Sequence, residues 1–107
     1  MQSLTAPELA EWLESTERQK PVLLDVREPW EFQTCHMVGA FSIPMNTLPD
    51  KLSELDAGNP IVCICHHGVR SMDVALFLKK QGFSQVINLT GGVHAWALQV
   101  DNTMPTY

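Results

Sequence analysis

Cys65 ends the apolar run Ile61-Val-Cys-Ile-Cys65 and opens the segment His66-His67-Gly68-Val69-Arg70-Ser71, so a sulfur stands where a strand stops and a helix is about to start. A short loop before a helix turns backbone N–H groups inward, and the helix dipole adds positive potential. Both stabilise a thiolate and a bound anion in the same place. Cysteine in that setting is a nucleophile rather than a packing residue. Gly68 permits a positive φ or a close backbone approach, which lets consecutive amides turn toward the sulfur. Arg70 offers a planar fork, either to an anionic leaving group or to a carboxylate that ties the loop down.

Four residues lie between Cys65 and Arg70. That is one fewer than cysteine phosphatases wrap around a tetrahedral phosphate, so a smaller acceptor at sulfur, such as the outer sulfur of thiosulfate or a persulfide, fits the tighter cradle. The other reactive side chains have quieter readings. Cys63 lies two residues back on the same strand face and reads as core; extended i, i+2 cysteines hold their Cα atoms ~6.5 Å apart with parallel Cβ vectors, a poor disulfide geometry. Cys35 reads as an incidental, partly exposed thiol near the far end of the sheet. His66 and His67 are adjacent and lack a fourth ligand beside Cys65, so no metal is expected, and they read as loop groups whose charge makes the cradle pH-dependent. His36 and His94 read as lone, satisfied structural histidines. Asp25, Arg27 and Glu28 follow a strand end near the site, where a pair between Arg27 and a carboxylate supports the loop.

The elements that must position these groups follow from the pattern. Thr5-x-x-Glu8 has the form of a capping box with Pro7 in the first turn, so a helix starts near Ala6 with Leu9, Trp12 and Leu13 on its buried face. Glu8, Glu11, Glu14 and Glu17 recur on the solvent side, and Glu14 is spaced to pair with Arg18. Residues 22–26, 41–43, 61–65 and 86–89 read as strands. Helices are expected from Pro29 to about Gln33, after a cap at Asn46 or Thr47 with Leu48, Leu52 and Leu55 inside, over 71–81, and over 93–98 after a Gly91-Gly92 turn. Strands alternating with helices give a parallel sheet covered on both faces, with ligands beyond the carboxyl ends of the strands. Cys65 is at such an end. The polar residues 99–107 carry no periodicity and read as a loose tail after a domain of residues 1–98.

Three segments together resemble the single-domain rhodanese family of thiosulfate or persulfide sulfurtransferases: Leu24-Asp-Val-Arg-Glu-Pro-Trp-Glu-Phe32, Cys65-His-His-Gly-Val-Arg-Ser71 and Leu89-Thr-Gly-Gly-Val-His-Ala-Trp96. Where that family commonly reads Gly-His-Ile-Pro-Gly-Ala, this chain has Cys35-His36-Met37-Val38-Gly39-Ala40. The resemblance implies an α/β fold with a doubly wound, mostly parallel five-stranded sheet and helices on both faces. It also implies Cys65 as the carrier of sulfane sulfur, with His66, His67, Gly68, Val69 and Arg70 binding substrate and Ser71, Asp25 and Arg27 supporting the loop. No cofactor is implied. The competing readings are a cysteine-dependent phosphatase or arsenate reductase, and a non-catalytic docking module on the same fold.

With 107 residues, 45% of them hydrophobic, the chain suffices for one core. Seven Lys plus Arg against twelve Asp plus Glu give a net charge of −5, which argues against nucleic acid and anionic membrane surfaces as partners. The expected partners are a small anionic sulfur donor and a thiol or protein sulfur acceptor, with a monomer favoured. Three cysteines without framework or zinc spacing imply reduced thiols. A start without basic or apolar leader character then gives the cytoplasm as the expected location.

Overall fold

The computed structural model describes residues 2–107. Its strands are β1 (Gln2–Leu4), β2 (Val22–Asp25), β3 (Phe41–Ser42), β4 (Ile61–Ile64) and β5 (Val86–Leu89), all parallel, in the order β1-β5-β4-β2-β3. The sheet is thus wholly parallel. Its fifth member, β1, lacks any run of apolar residues; it pairs through backbone with β5, Gln2 opposite Ile87 and Leu4 opposite Leu89. Between the strands lie α1 (Ala6–Glu14), α2 (Pro29–Thr34), a 3-10 helix (Met45–Glu54) and α3 (Val69–Lys80), and α4 (Gly92–Gln99) follows β5. None of the described helices is long and apolar enough to cross a membrane.

Alternation along β4 divides the core. Val62 and Ile64 point to one face, where Leu9 and Trp12 of α1 and Val93 and Trp96 of α4 cover them. Ile61, Cys63 and Cys65 belong to the other face, under Val74, Ala75 and Leu78 of α3 and Leu48 of the 3-10 helix. The register sets Asp25 beside Ile64 and Cys63 beside Asn88, so the carboxyl ends of β2, β4 and β5 converge.

Local chemistry explains the elements and their departures from expectation. The capping box forms: Thr5 N–H donates to Glu8 Oε1 at 2.9 Å and Glu8 N–H to Thr5 Oγ1 at 3.3 Å. Past Glu14 the helix has ended, and Arg18 does not pair with it but lies over the Trp12 ring at 4.3 Å. Residues 45–54 take 3-10 turns because Pro49, inside the helix, has no amide to donate and crowds the preceding turn. α3 begins at Val69 rather than Ser71.

The expected loose tail is instead packed. Asp101 N–H donates to Trp96 O at 2.9 Å, Met104 is buried in the α1/α4 core, and Tyr107 reaches the site edge. A buried aromatic with a polar tip holds its place when that tip finds partners, and here it finds two. Arg27 and Asp25 form a buried ion pair at 2.7 Å. Arg27 also donates to Cys35 O at 2.6 Å and to the Tyr107 hydroxyl at 2.8 Å. That hydroxyl donates in turn to Glu31 Oε2 at 2.7 Å, and Arg70 grips both Glu31 oxygens at 2.7 and 2.8 Å. One chain of charge-assisted bonds therefore links β2, the tail, α2 and the start of α3.

Arg27→Met leaves Asp25 buried without its partner and should cost about 3–5 kcal/mol in urea unfolding; a loss under about 1 kcal/mol would remove the pair from the fold's support. Glu31 supplies a pH signature. The Arg70 hydrogen bonds, working against burial and helped by Tyr107 and the Glu28 amide, hold its carboxyl at about 2, below its ordinary 4.5. A depressed folded-state value contributes stability above pH ~4.5 that is lost as pH falls toward ~2. The melting temperature of the wild type should drop through that window, and that of Glu31→Gln should drop less steeply; parallel curves would contradict the assignment.

Candidate active site

The loop from Cys65 to Arg70 joins β4 to α3 through Gly68, whose φ of +100° no other residue adopts without strain. A Cβ there would also press within 3.1 Å of Gly91 N and 3.2 Å of Leu89 O. This turn sends the Gly68 N–H back to Cys65 Sγ at 3.0 Å. Ser71 Oγ lies 3.3 Å from the same sulfur and within hydrogen-bond reach of Asn88 Oδ1. The Asn88 amide is oriented by its Nδ2, which donates to Gly68 O at 3.2 Å. The Ser71 proton therefore has two acceptors, and a negative sulfur draws it away from Asn88. Cys65 itself is only 1% exposed.

The outer wall of the loop is the first turn of α4. Val93 N–H donates to Cys65 O at 2.9 Å and His94 N–H to His66 O at 3.1 Å. Such an approach requires glycine at position 92, where φ is +58° and a Cβ would fall 2.3 Å from Cys65 O. With its carbonyls bonded to α4, the loop leaves amide hydrogens for the sulfur side. Among these amides, Gly68 makes the hydrogen bond to Sγ.

The other nominated residues are distributed around this centre. Arg70 ties the loop to α2 through Glu31 and lines an open groove of about 620 Å³ with Val26, Pro29, Pro44, Met45 and Asn46. Val69 has an exposed side chain. His66 is half-buried with its ring stacked on Tyr107 at 3.9 Å, and His67 is exposed. Burial, then the neighbouring His67, lowers the His66 pKa below the usual histidine value. Asp25 and Arg27 do not touch the loop; they reach it through Tyr107 and Glu31. Cys63 is fully buried, and burial followed by the charge of Cys65 pushes its thiol up to about 12, so it stays protonated. Cys35 is not a partly exposed thiol: it is 7% exposed, in the core, its carbonyl pinned by Arg27. His36 is satisfied as expected, its Nδ1 2.8 Å from Phe32 O.

Four contributors escape a reading by local pattern. Asn88 is signalled only as the polar member of Val86-Ile-Asn-Leu89, an odd residue for a fully buried strand. Glu31 and His94 stand inside the flanking segments without spacing that ties them to Cys65. Tyr107 carries no signal at all. His94 is not lone, since its ring centroid lies 4.9 Å from that of His67 and 6.0 Å from that of His66.

Comparison with known proteins fits this geometry. The model of the rhodanese-like domain matches residues 5–99. The probable adenylyltransferase/sulfurtransferase MoeZ of Mycobacterium tuberculosis is 37% identical over 107 residues, covering 98% of this chain and 27% of the relative. The chain thus spans about a quarter of that protein's length. The thiosulfate sulfurtransferase GlpE of Shewanella oneidensis is 33% identical over 84 residues, 78% of this chain and 83% of that protein. The crystal structure of a rhodanese-like domain protein from Staphylococcus aureus superposes with a TM-score of 0.84 at 32% identity, covering 100% of this chain and 99% of that one. With its matched segments, its parallel sheet and the cysteine loop at the sheet's carboxyl edge, this chain belongs to the rhodanese-like domain family.

Proposed function

We propose that the domain is a sulfurtransferase that carries sulfane sulfur as a persulfide on Cys65. The observation behind this reading is the sulfur held at the N-terminus of α3 by the Gly68 amide at 3.0 Å, with the Ser71 hydroxyl 3.3 Å away. The Cys65 thiolate attacks the outer sulfur of thiosulfate, the donor S–S bond breaks, and sulfite leaves with the electron pair. A thiophilic acceptor, which is cyanide, a small thiol or a protein thiolate, then attacks the outer sulfur of the persulfide and releases the thiolate. Both steps exchange sulfur between anions, so the protein's contribution is electrostatic.

In this scheme the loop from His66 to Arg70 receives the donor. Arg70 uses one N–H of each terminal nitrogen on Glu31 and keeps its remaining donors for the departing sulfite. Ser71 follows the charge on sulfur, while Asp25 and Arg27 brace the loop at one remove. The depth of Cys65 favours a donor that presents a single terminal atom over a phosphate ester. The name of the GlpE relative supports thiosulfate as donor. Three free buried cysteines fit a reducing compartment, the cytoplasm.

Brief incubation with thiosulfate should add one sulfur atom to the intact chain, mapped by peptide mass to Cys65 and missing in Cys65→Ser. Sulfur on Cys35 or Cys63, or hydrolysis of an aryl phosphate without sulfur transfer, would overturn the proposal. Arg70→Lys should keep a wild-type fold by circular dichroism yet lose about tenfold in kcat/KM for thiosulfate, because an ammonium cannot hold Glu31 and an anion with one planar fork. Unchanged kinetics would take Arg70 out of the mechanism.

A further inference from the structure

The His94 amide braces the loop, while its ring takes no step in the proposed sulfur transfer and packs against the two loop histidines. The ligand nitrogens of His66, His67 and His94 all lie within 4.8 Å of one another. Two of these side chains have buried nitrogens, Nε2 of His66 and Nδ1 of His94, that find no protein hydrogen-bond partner. A buried polar atom left in that state costs about 1–3 kcal/mol, and both belong to the same cluster. We infer that His66, His67 and His94 form a binding site for a divalent transition-metal ion of the zinc, nickel or copper class.

The ligand set selects the ion. Three imidazoles with no carboxylate among them suit borderline cations and exclude calcium and magnesium, which take oxygen ligands. Metal–nitrogen bonds of ~2.0–2.1 Å bring ligand nitrogens to roughly 3–3.5 Å from one another, so the cluster closes by at most about 1.5 Å. Rotation of the exposed His67 supplies most of that movement and leaves a route for the ion to enter. The other two ligands are already held. The His94 amide is bonded to His66 O at 3.1 Å, which locks the loop to α4, and Tyr107 lies parallel to the His66 ring at an interplanar angle of 6°. Orientation of a ligand ring by its neighbours raises metal affinity. Three protein ligands leave a position for water or an anion, as in open zinc sites.

The experiment is a titration of the chelator-stripped full chain with Zn²⁺ and with Ni²⁺, read by competition against a chromophoric chelator. One equivalent should bind. His94→Asn and His67→Asn should each weaken binding by more than about tenfold, while His36→Asn, altering the remaining histidine, should leave it unchanged. His67 is exposed, so its variant tests the site even where His94→Asn lowers stability, and melting curves establish that each variant is folded. No stoichiometric binding, or binding that survives both substitutions, overturns the proposal. So does binding lost in Cys65→Ser but kept in the two histidine variants, which would place the ion on the thiolate. The readout is metal affinity, so its failure leaves the sulfurtransferase reading untouched, and failure of sulfur transfer leaves the metal site untouched.

Discussion

The closest constraint in the molecule is the contact between the cysteine loop and the first turn of α4. Two loop carbonyls accept hydrogen bonds from consecutive α4 amides, at a separation that leaves no room for a side-chain carbon at Gly92. A peptide unit has a donor side and an acceptor side, so committing the acceptors outward decides what faces inward. The sulfur environment is therefore set from behind, by a glycine that never touches the sulfur. Gly68 completes the arrangement at the other end, where its left-handed backbone turns one amide onto Sγ and its missing side chain admits Gly91 and Leu89.

A second layer of order runs through buried charge. Asp25, Arg27, Tyr107, Glu31 and Arg70 form a continuous relay in which every ionised group has a partner of opposite sign or a hydroxyl. Such networks are sensitive to the loss of any member, because an uncompensated charge stays buried. The consequence for the site is that the arginine of the loop is positioned by residues from three other parts of the chain. Arg70 is at once a structural cation for Glu31 and an open edge toward the neighbouring groove.

How far the sequence could be read depended on how local the cause was. The capping box at Thr5 and the positive φ at Gly68 are decided within a few residues and are as expected, and the strand expected over 61–65 forms over Ile61–Ile64, one residue shorter. Cys65 could be singled out because strand, glycine and arginine sit together in one short segment. The leucine spacing announces the helix expected after Asn46 or Thr47, but it starts already at Met45, and its 3-10 geometry follows from Pro49 rather than from that spacing. β1 was invisible to pattern, since its place comes from backbone pairing at the sheet edge. Glu31, Asn88, His94 and Tyr107 join the site only through the crossover connections of the sheet, and Tyr107 is separated from Glu31 by 76 positions. The same distance effect hides the packing of the tail: Met104 and Tyr107, packed against residues far away in the sequence, have no period to detect.

The strand order also sets which strands lie at the borders of the sheet. Parallel pairing joins segments distant in sequence, which slows folding and prolongs exposure of half-built sheets. The finished sheet places its four-residue strands β2, β4 and β5 inside and leaves at its borders only β1, of three residues, and β3, of two. An edge that short offers few unpaired backbone groups as a template for a neighbouring molecule, a device that guards sheets against edge-to-edge aggregation. Lengthening β3, for example by replacing Pro44, which follows it, with a residue able to continue the ladder, would trade that protection for an adhesive border.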